Sequence, residues 1–178
     1  DQFAVLLDGN EIICVYGRDW NELEELLTGI EDEHLITMVF VHNLSYEFQF
    51  LRSHIEIKPE EVFSLKPRKI LRIRAGNHMQ GNLEFRCSYM QTHKSLDKFL
   101  SDSGVQNQKL KDFDYDKRRY PWTELSTREI KYGCNDVIGL LQAMHKRLMD
   151  NNDTLYTLPL TSTGYVRREA RQAMKQYN

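Results

Sequence analysis

Residues 35–49, Leu35-Ile36-Thr37-Met38-Val39-Phe40-Val41-His42-Asn43-Leu44-Ser45-Tyr46-Glu47-Phe48-Gln49, change hydrophobic period partway along. The block from Leu35 to Val41 is apolar without clean alternation, the pattern of a strand buried on both faces of a sheet. Beyond it, Phe48, Leu51 and Ile55 recur at spacings of three and four, which predicts a helix with Asn43 or Ser45 available as its cap. Strand, short turn and helix together predict an α/β domain. In such domains functional groups collect outside the carboxyl ends of the strands, where His42 to Glu47 lie.

The neighbouring sequence extends that pattern. Phe3–Leu7 and Glu11–Tyr16 flank Asp8-Gly9-Asn10, turn chemistry that predicts an antiparallel hairpin. Asp19 stands three residues before Glu22, and Trp20, Leu23, Leu26, Leu27 and Ile30 follow at helical intervals, so a capped amphipathic helix is expected to end near Gly29. A second hairpin, Lys69–Arg74 with Leu83–Tyr89, is expected around Ala75–Asn82. In its first arm Leu71 and Ile73 alternate with Arg72 and Arg74, giving one basic face. A short helix is expected over Ser95–Leu100, then loop through Asp112 and an irregular charged stretch to Trp122. Ser126-x-x-Glu129 is a capping box opening the best helix, with Ile130, Cys134, Val137, Leu141, Met144 and Leu148 in its apolar stripe. A polar linker, Asp150–Asp153, precedes Pro159 and a last helix bearing Arg167, Arg168 and Arg171.

The chain has 178 residues, 40% apolar and 28% charged, with four prolines and nine glycines. That balance excludes collagen-like, low-complexity and wholly disordered classes and fits one domain. No apolar stretch approaches the ~20 residues that span a bilayer, so no membrane partner is expected. The three cysteines, Cys14, Cys87 and Cys134, are widely spaced without Cys-x-x-Cys. They indicate neither a disulfide framework nor structural zinc, and a reducing cytoplasm fits. A net charge of −2 counts against nucleic-acid binding only as an average, because local clusters of Arg and Lys carry phosphate contacts.

Tyr132 and Asp136, four residues apart on the capped helix, aim a phenol and a carboxylate to one side. Taken singly, each candidate has a plain structural explanation: a surface Tyr–Asp pair, a solvated carboxylate, Asn43 as a helix cap, Arg72 and Arg74 as an ordinary solvent face. Their order along the chain adds more. His42-Asn43-Leu44-Ser45-Tyr46-Glu47 resembles the second exonuclease motif of family B DNA polymerases, and Tyr132-Gly133-Cys134-Asn135-Asp136 resembles the third, Tyr-x-x-x-Asp. Ser95-Leu96-Asp97-Lys98-Phe99 resembles the Ser/Thr-Leu-x-x-hydrophobic motif of the protein-primed members, the polymerases of certain phages and linear plasmids. Lys109-Leu110-Lys111-Asp112-Phe113-Asp114-Tyr115 is similar to the family's lysine-bearing segment ahead of its third motif.

The resemblance implies a ribonuclease H-like, DEDD-type exonuclease fold, a mixed sheet flanked by helices and lacking its first strand. Residues 1–149 would form the truncated exonuclease domain and 150–178 a linker and helix leading towards the polymerase palm. It also implies hydrolysis of DNA 3′ ends by two ions, Mg²⁺ or Mn²⁺, with Glu47 and Asp136 as ligands, since hard cations prefer carboxylate oxygen. By the same resemblance Tyr132 would orient the attacking water, Lys111 would steady the metal site or scissile phosphate, and Asn43, Tyr46, Ser95 and Leu96 would grip a single-stranded 3′ terminus. The implied partners are that DNA strand, the rest of the polymerase and a terminal priming protein.

Two departures shape the expectation. Glu47 stands where the family usually has Asp, and the Asp-x-Glu of the first motif occurs nowhere; Asp112, Asp114 and Asp116 lie too late in the chain and read as surface residues. The chain by itself is therefore expected to be nearly inactive, as the truncated piece of a larger enzyme. A non-catalytic domain that binds single-stranded DNA or a priming protein is the competing expectation. An unrelated α/β domain, the third, would lack a strand-to-helix turn at His42–Glu47 or bury Tyr132 in its core.

Overall fold

The computed structural model describes residues 2–8, 11–75, 82–111, 113–120 and 122–176. Its elements are β1 (Gln2–Asp8), β2 (Glu11–Gly17), α1 (Trp20–Ile30), β3 (Thr37–Val41), α2 (Leu44–Leu51), β4 (Val62–Ser64), β5 (Ile70–Ala75), β6 (Leu83–Cys87), α3 (Tyr89–Thr92), α4 (Leu96–Ser103), α5 (Thr127–Asp150) and α6 (Ser162–Gln176). They form two compact units, one of Asp1–Gly29 with Ser95–Asn151, the other of Ile30–Lys94 with Asn152–Asn178. Among the described residues no helix is long and apolar enough to cross a membrane.

In the first unit β1 and β2 pair antiparallel from Gln2 opposite Gly17 to Asp8 opposite Glu11, as the sequence predicts. The predicted turn residues Gly9 and Asn10 lie outside the described residues. The hairpin packs on α5. Gly133 permits this, because a Cβ there would sit 2.4 Å from the Phe3 ring. Cys14 and Cys134 hydrogen-bond side chain to side chain; burial and that contact push the Cys14 thiol up to about 12. The expected cap of α1 is present: Asp19 Oδ1 accepts from the Glu22 amide at 3.0 Å, and Glu22 Oε2 accepts from the Asp19 amide at 3.3 Å.

Helix α4 runs to Ser103, three residues beyond the predicted Leu100, and stops at Gly104, whose φ of 62° suits a residue without Cβ. Segment 101–103, expected as loop, is helical because Leu100, fully buried, continues the packed face of Phe99. The capping box of α5 forms, with Ser126 Oγ accepting from the Glu129 amide at 3.3 Å and Glu129 Oε2 accepting from the Ser126 amide at 2.8 Å. Of its predicted stripe, Met144 is buried while Ile130, Cys134, Val137, Leu141 and Leu148 are half-buried. The tightest face passes instead through Gly139, Leu140 and Ala143, because Gly139 lets the Asn107 carbonyl and Leu100 approach to distances no side chain would allow.

The second unit holds a four-stranded sheet in the order β3-β6-β5-β4, parallel between β3 and β6 and antiparallel elsewhere. The mixed sheet with helices expected from the sequence is therefore present, and α2 packs on β5 and β6. Strand β3 begins at Thr37, leaving Leu35 and Ile36 exposed. It occupies a sheet edge and its residues are half-buried, so the expected burial on both faces belongs to β6, where every residue is buried. The expected second hairpin is β5 with β6; its second arm ends at Cys87 rather than Tyr89, which opens α3. The connection 76–81 lies outside the described residues. Leu71 and Ile73 face the core as expected.

Candidate nucleic-acid and 3′-end site

The turn between β3 and α2 is fixed from both sides. The Ser88 amide donates to the Val41 carbonyl at 3.0 Å, the Tyr89 amide to the His42 carbonyl at 3.1 Å, and His42 Nδ1 lies 3.0 Å from Ser88 Oγ. Helix α2 then opens with the Tyr46 amide donating to the Asn43 carbonyl at 2.9 Å. Neither predicted cap works through its side chain: Asn43 makes no side-chain cap bond, and Ser45 Oγ accepts instead from the Ile70 amide at 2.9 Å, tying α2 to β5. The Asn43 side chain is thereby left exposed at the strand exit with Tyr46 and Glu47. Tyr46 is 59% exposed and meets Phe50 edge-on, ring centroids 5.2 Å apart, so an aromatic face stands in solvent. Partial desolvation raises the Glu47 carboxyl above the usual range, although the residue as a whole is exposed.

The first unit presents the other group. Ser95 caps α4 by accepting from the Lys98 amide at 3.3 Å, which places half-buried Leu96 at the start of that helix. On α5, Tyr132 is half-buried rather than enclosed in the core. Its ring centroid lies 4.5 Å from that of Phe113, and its hydroxyl lies 2.7 Å from that of Tyr115. Burial, the Tyr115 hydrogen bond and the Asp136 charge all raise the Tyr132 phenol, so it stays protonated across the neutral range. Burial likewise raises Asp136; Lys109, with Nζ 4.0 Å from Oδ2, opposes the shift and Asp97 adds to it. Oxygen Oδ1 of Asp136 is buried and has no hydrogen-bond partner among the described residues.

Lys111 is exposed, and the cation beside Asp136 is Lys109. A set of amide side chains decides this. Asn107 donates through Nδ2 to Asn135 Oδ1 at 2.7 Å and through its backbone amide to Gln142 Oε1 at 3.1 Å, while Asn135 Nδ2 donates to the Gln108 carbonyl. Residues 107 and 108 are thus strapped to α5, and the next residue must leave the strap beside Asp136. Replacing Lys109 by Met is expected to raise the Asp136 pKa further, because the one opposing charge is lost; a carboxyl-carbon NMR titration reads the shift, and an unchanged pKa would remove Lys109 from the site.

The sequence-predicted residues therefore fall into two groups: Asn43, Tyr46 and Glu47 in the second unit, and Ser95, Leu96, Lys111, Tyr132 and Asp136 in the first. Sequence reasoning missed Lys109, Tyr115 and Asp97 as neighbours of the second group, although all three lie in or beside the motifs that signalled it. Among the described residues no group of three or more His, Cys, Asp or Glu could hold a metal ion. Asp136 offers one free oxygen, but the described residues do not assemble a complete cage, and no reaction step follows from a metal here.

No protein-family model matches the chain, and no curated protein does. Solved structures do match. Phi29 DNA polymerase complexed with single-stranded DNA is similar with a TM-score of 0.63 at 14% identity, over 86% of this chain and 28% of that one. The same polymerase complexed with primer-template DNA and incoming nucleotide substrates gives 0.63 at 15% identity, over 83% and 27%. The chain spans under a third of the length of those polymerase chains, and at this identity the likeness is one of fold.

Proposed function

We propose that this chain is the 3′-5′ exonuclease region of a protein-primed family B DNA polymerase, of ribonuclease H-like type, in which 150–178 leads towards the palm. The observation that carries the reading is Asp136: a helix carboxylate with a buried, unpartnered oxygen, one turn from Tyr132, on a fold similar to a DNA polymerase. The strand-to-helix turn at Val41–Leu44 and a Tyr132 outside the core speak against an unrelated α/β domain. In this reading Asn43, Tyr46, Ser95 and Leu96 hold an unpaired DNA 3′ terminus, and Tyr132, kept protonated, donates to an attacking water or a phosphate oxygen. Lys111 serves the scissile phosphate from the surface, and Lys109 tempers the charge at Asp136. In this reading Glu47 and Asp136 are each offered as a carboxylate ligand for Mg²⁺ or Mn²⁺, which when bound would supply Lewis-acid activation of water. A full two-ion site needs carboxylates beyond these two, so the chain by itself is expected to hydrolyse DNA weakly.

Tyr46 gives the direct test. An exposed aromatic ring that stacks on a terminal base contributes ~1 to 3 kcal/mol, so Tyr46→Ala is expected to weaken binding of a single-stranded oligonucleotide roughly 5- to 150-fold. Fluorescence anisotropy with a 5′-labelled strand, whose 3′ terminus is left free, measures it, and unchanged binding would remove Tyr46 from the DNA. Among the described residues no group of three ligands gathers, and the exposed Tyr46 ring at the strand exit also fits a second reading, a non-catalytic domain that binds single-stranded DNA or a priming protein. Paramagnetic broadening by Mn²⁺ separates the two: broadening centred on Asp136 and Glu47 supports the enzyme, and its absence there supports the binding domain.

A further inference from the structure

Helix α6 carries a row of cations that the 3′-end reading does not use. Arg168 is committed to the fold: Nη2 donates to Asp153 Oδ2 at 3.0 Å, Nη1 donates to Oδ1, and the guanidinium lies 5.0 Å from the centre of the Tyr165 ring. Asp153, expected as part of a linker, is only 6% exposed, so this pair anchors the start of the segment. Arg167, Arg171 and Lys175 differ. They are exposed, they follow one another at intervals of four along one stripe, and among the described residues no ion pair engages them. Glu169 projects from the opposite side of the helix.

The stripe walls a cleft of about 530 Å³ whose far side is Thr157 and Pro159. Gly164 brings the helix against that wall, since a Cβ there would meet Pro159 Cβ at 2.8 Å. Like charges at intervals of four repel and cost helix stability, and an anion in the cleft offsets that cost. The three charges extend over ~12 Å of helix at 1.5 Å per residue. One strand of B-DNA passes three to four phosphates in that length, at ~3.4 Å each. A single small anion cannot meet all three. An acidic protein would need large apolar anchors at the centre of its contact, and among the described residues Pro159 is the only apolar side chain lining the cleft.

We propose that the α6 cleft binds the phosphodiester backbone of DNA through Arg167, Arg171 and Lys175. The proposal rests on the reading above only in taking DNA as the polyanion. Anisotropy of a labelled duplex and of a single strand of equal length, titrated with the 178-residue chain over a series of salt concentrations, tests it. The R167E/R171E/K175E variant is expected to bind at least tenfold more weakly at low salt. Losing three phosphate contacts should also flatten the slope of log K against log salt by roughly 2.7 for duplex, or about 2.1 for a single strand. R167Q/R171Q/K175Q, which removes the charges without reversing them, should flatten it in the same direction. Unchanged affinity and slope in both variants would overturn the proposal, as would competition by polyglutamate as strong as by unlabelled DNA, or full competition by millimolar inorganic phosphate. If Tyr46→Ala leaves binding intact while the charge variants abolish the salt slope, the 3′-end reading fails and the cleft stands; the reverse result removes the cleft alone.

Discussion

Replacing Glu84 by alanine is expected to cost about 3 to 5 kcal/mol of folding stability, the usual consequence of removing one partner from a buried ion cluster. Glu84 is 1% exposed in β6 and accepts from Arg74 Nε at 2.9 Å and from Arg86 Nε, with Arg72 Nη1 at 3.9 Å. Arg86, itself buried, also donates to the Leu155 carbonyl at 3.0 Å, so the cluster joins the sheet to the chain before α6. Without Glu84 the Arg86 charge stays in place with no counter-charge. Chemical denaturation gives the magnitude, and amide exchange in β5 and β6 locates it; an unchanged midpoint would mean that water or rearrangement replaces the carboxylate. The double variant Glu84→Leu/Arg86→Met, which removes both charges, should recover much of the loss. Burial raises the Glu84 pKa, but Arg74, Arg86 and Arg72 outweigh it and hold the carboxyl below its ordinary value of 4.5. A carboxyl lowered in the folded state gives stability that is complete above that ordinary value and disappears as pH falls through the folded one. The acid limb of the stability curve should therefore flatten in Glu84→Gln.

This cluster marks the limit of what the sequence made legible. Alternation identified β5 and its basic face correctly, and the capping spacings identified α1 and α5, because those signals are local. Leu83-Glu84-Phe85-Arg86-Cys87 alternates as well, and alternating charge reads as a solvent face. In the fold that face is closed by the arginines of β5 and by a carbonyl 69 residues along the chain from Arg86, and no local pattern encodes such a distance. Lys109 and Lys111 illustrate the same limit at the candidate site. Both sit in one motif and would share one face of an extended strand; what selects Lys109 is the strapping of Asn107 to Asn135 and Gln142, contacts 28 and 35 residues apart. The motif residues were legible as candidates, and their neighbours were fixed only by packing.

Leu100→Ala is expected to cost about 2 to 5 kcal/mol, since the residue is fully buried where α4 meets α5 and its removal leaves a cavity. Its neighbour makes the cost interpretable. A Cβ on Gly139 would lie 2.8 Å from Leu100 Cδ1 and 2.5 Å from the Asn107 carbonyl oxygen. Gly139→Ala alone should therefore lose about 1 to 3 kcal/mol by overpacking. The combination should lose less than the sum, because deleting the leucine relieves the first clash and the new methyl fills part of the cavity. It should not recover fully: the Asn107 carbonyl can retreat only by breaking the bonds that strap it to Asn135 and Gln142. Denaturation of both single variants and the double one closes the cycle, and strict additivity would mean that Leu100 and Gly139 do not share the contact. Exchange of the Asn107 amide, bonded to Gln142 Oε1, reports whether the strap has opened. If it opens, Lys109 loses the support that holds it beside Asp136, and packing at Gly139 reaches the candidate site one helical turn away.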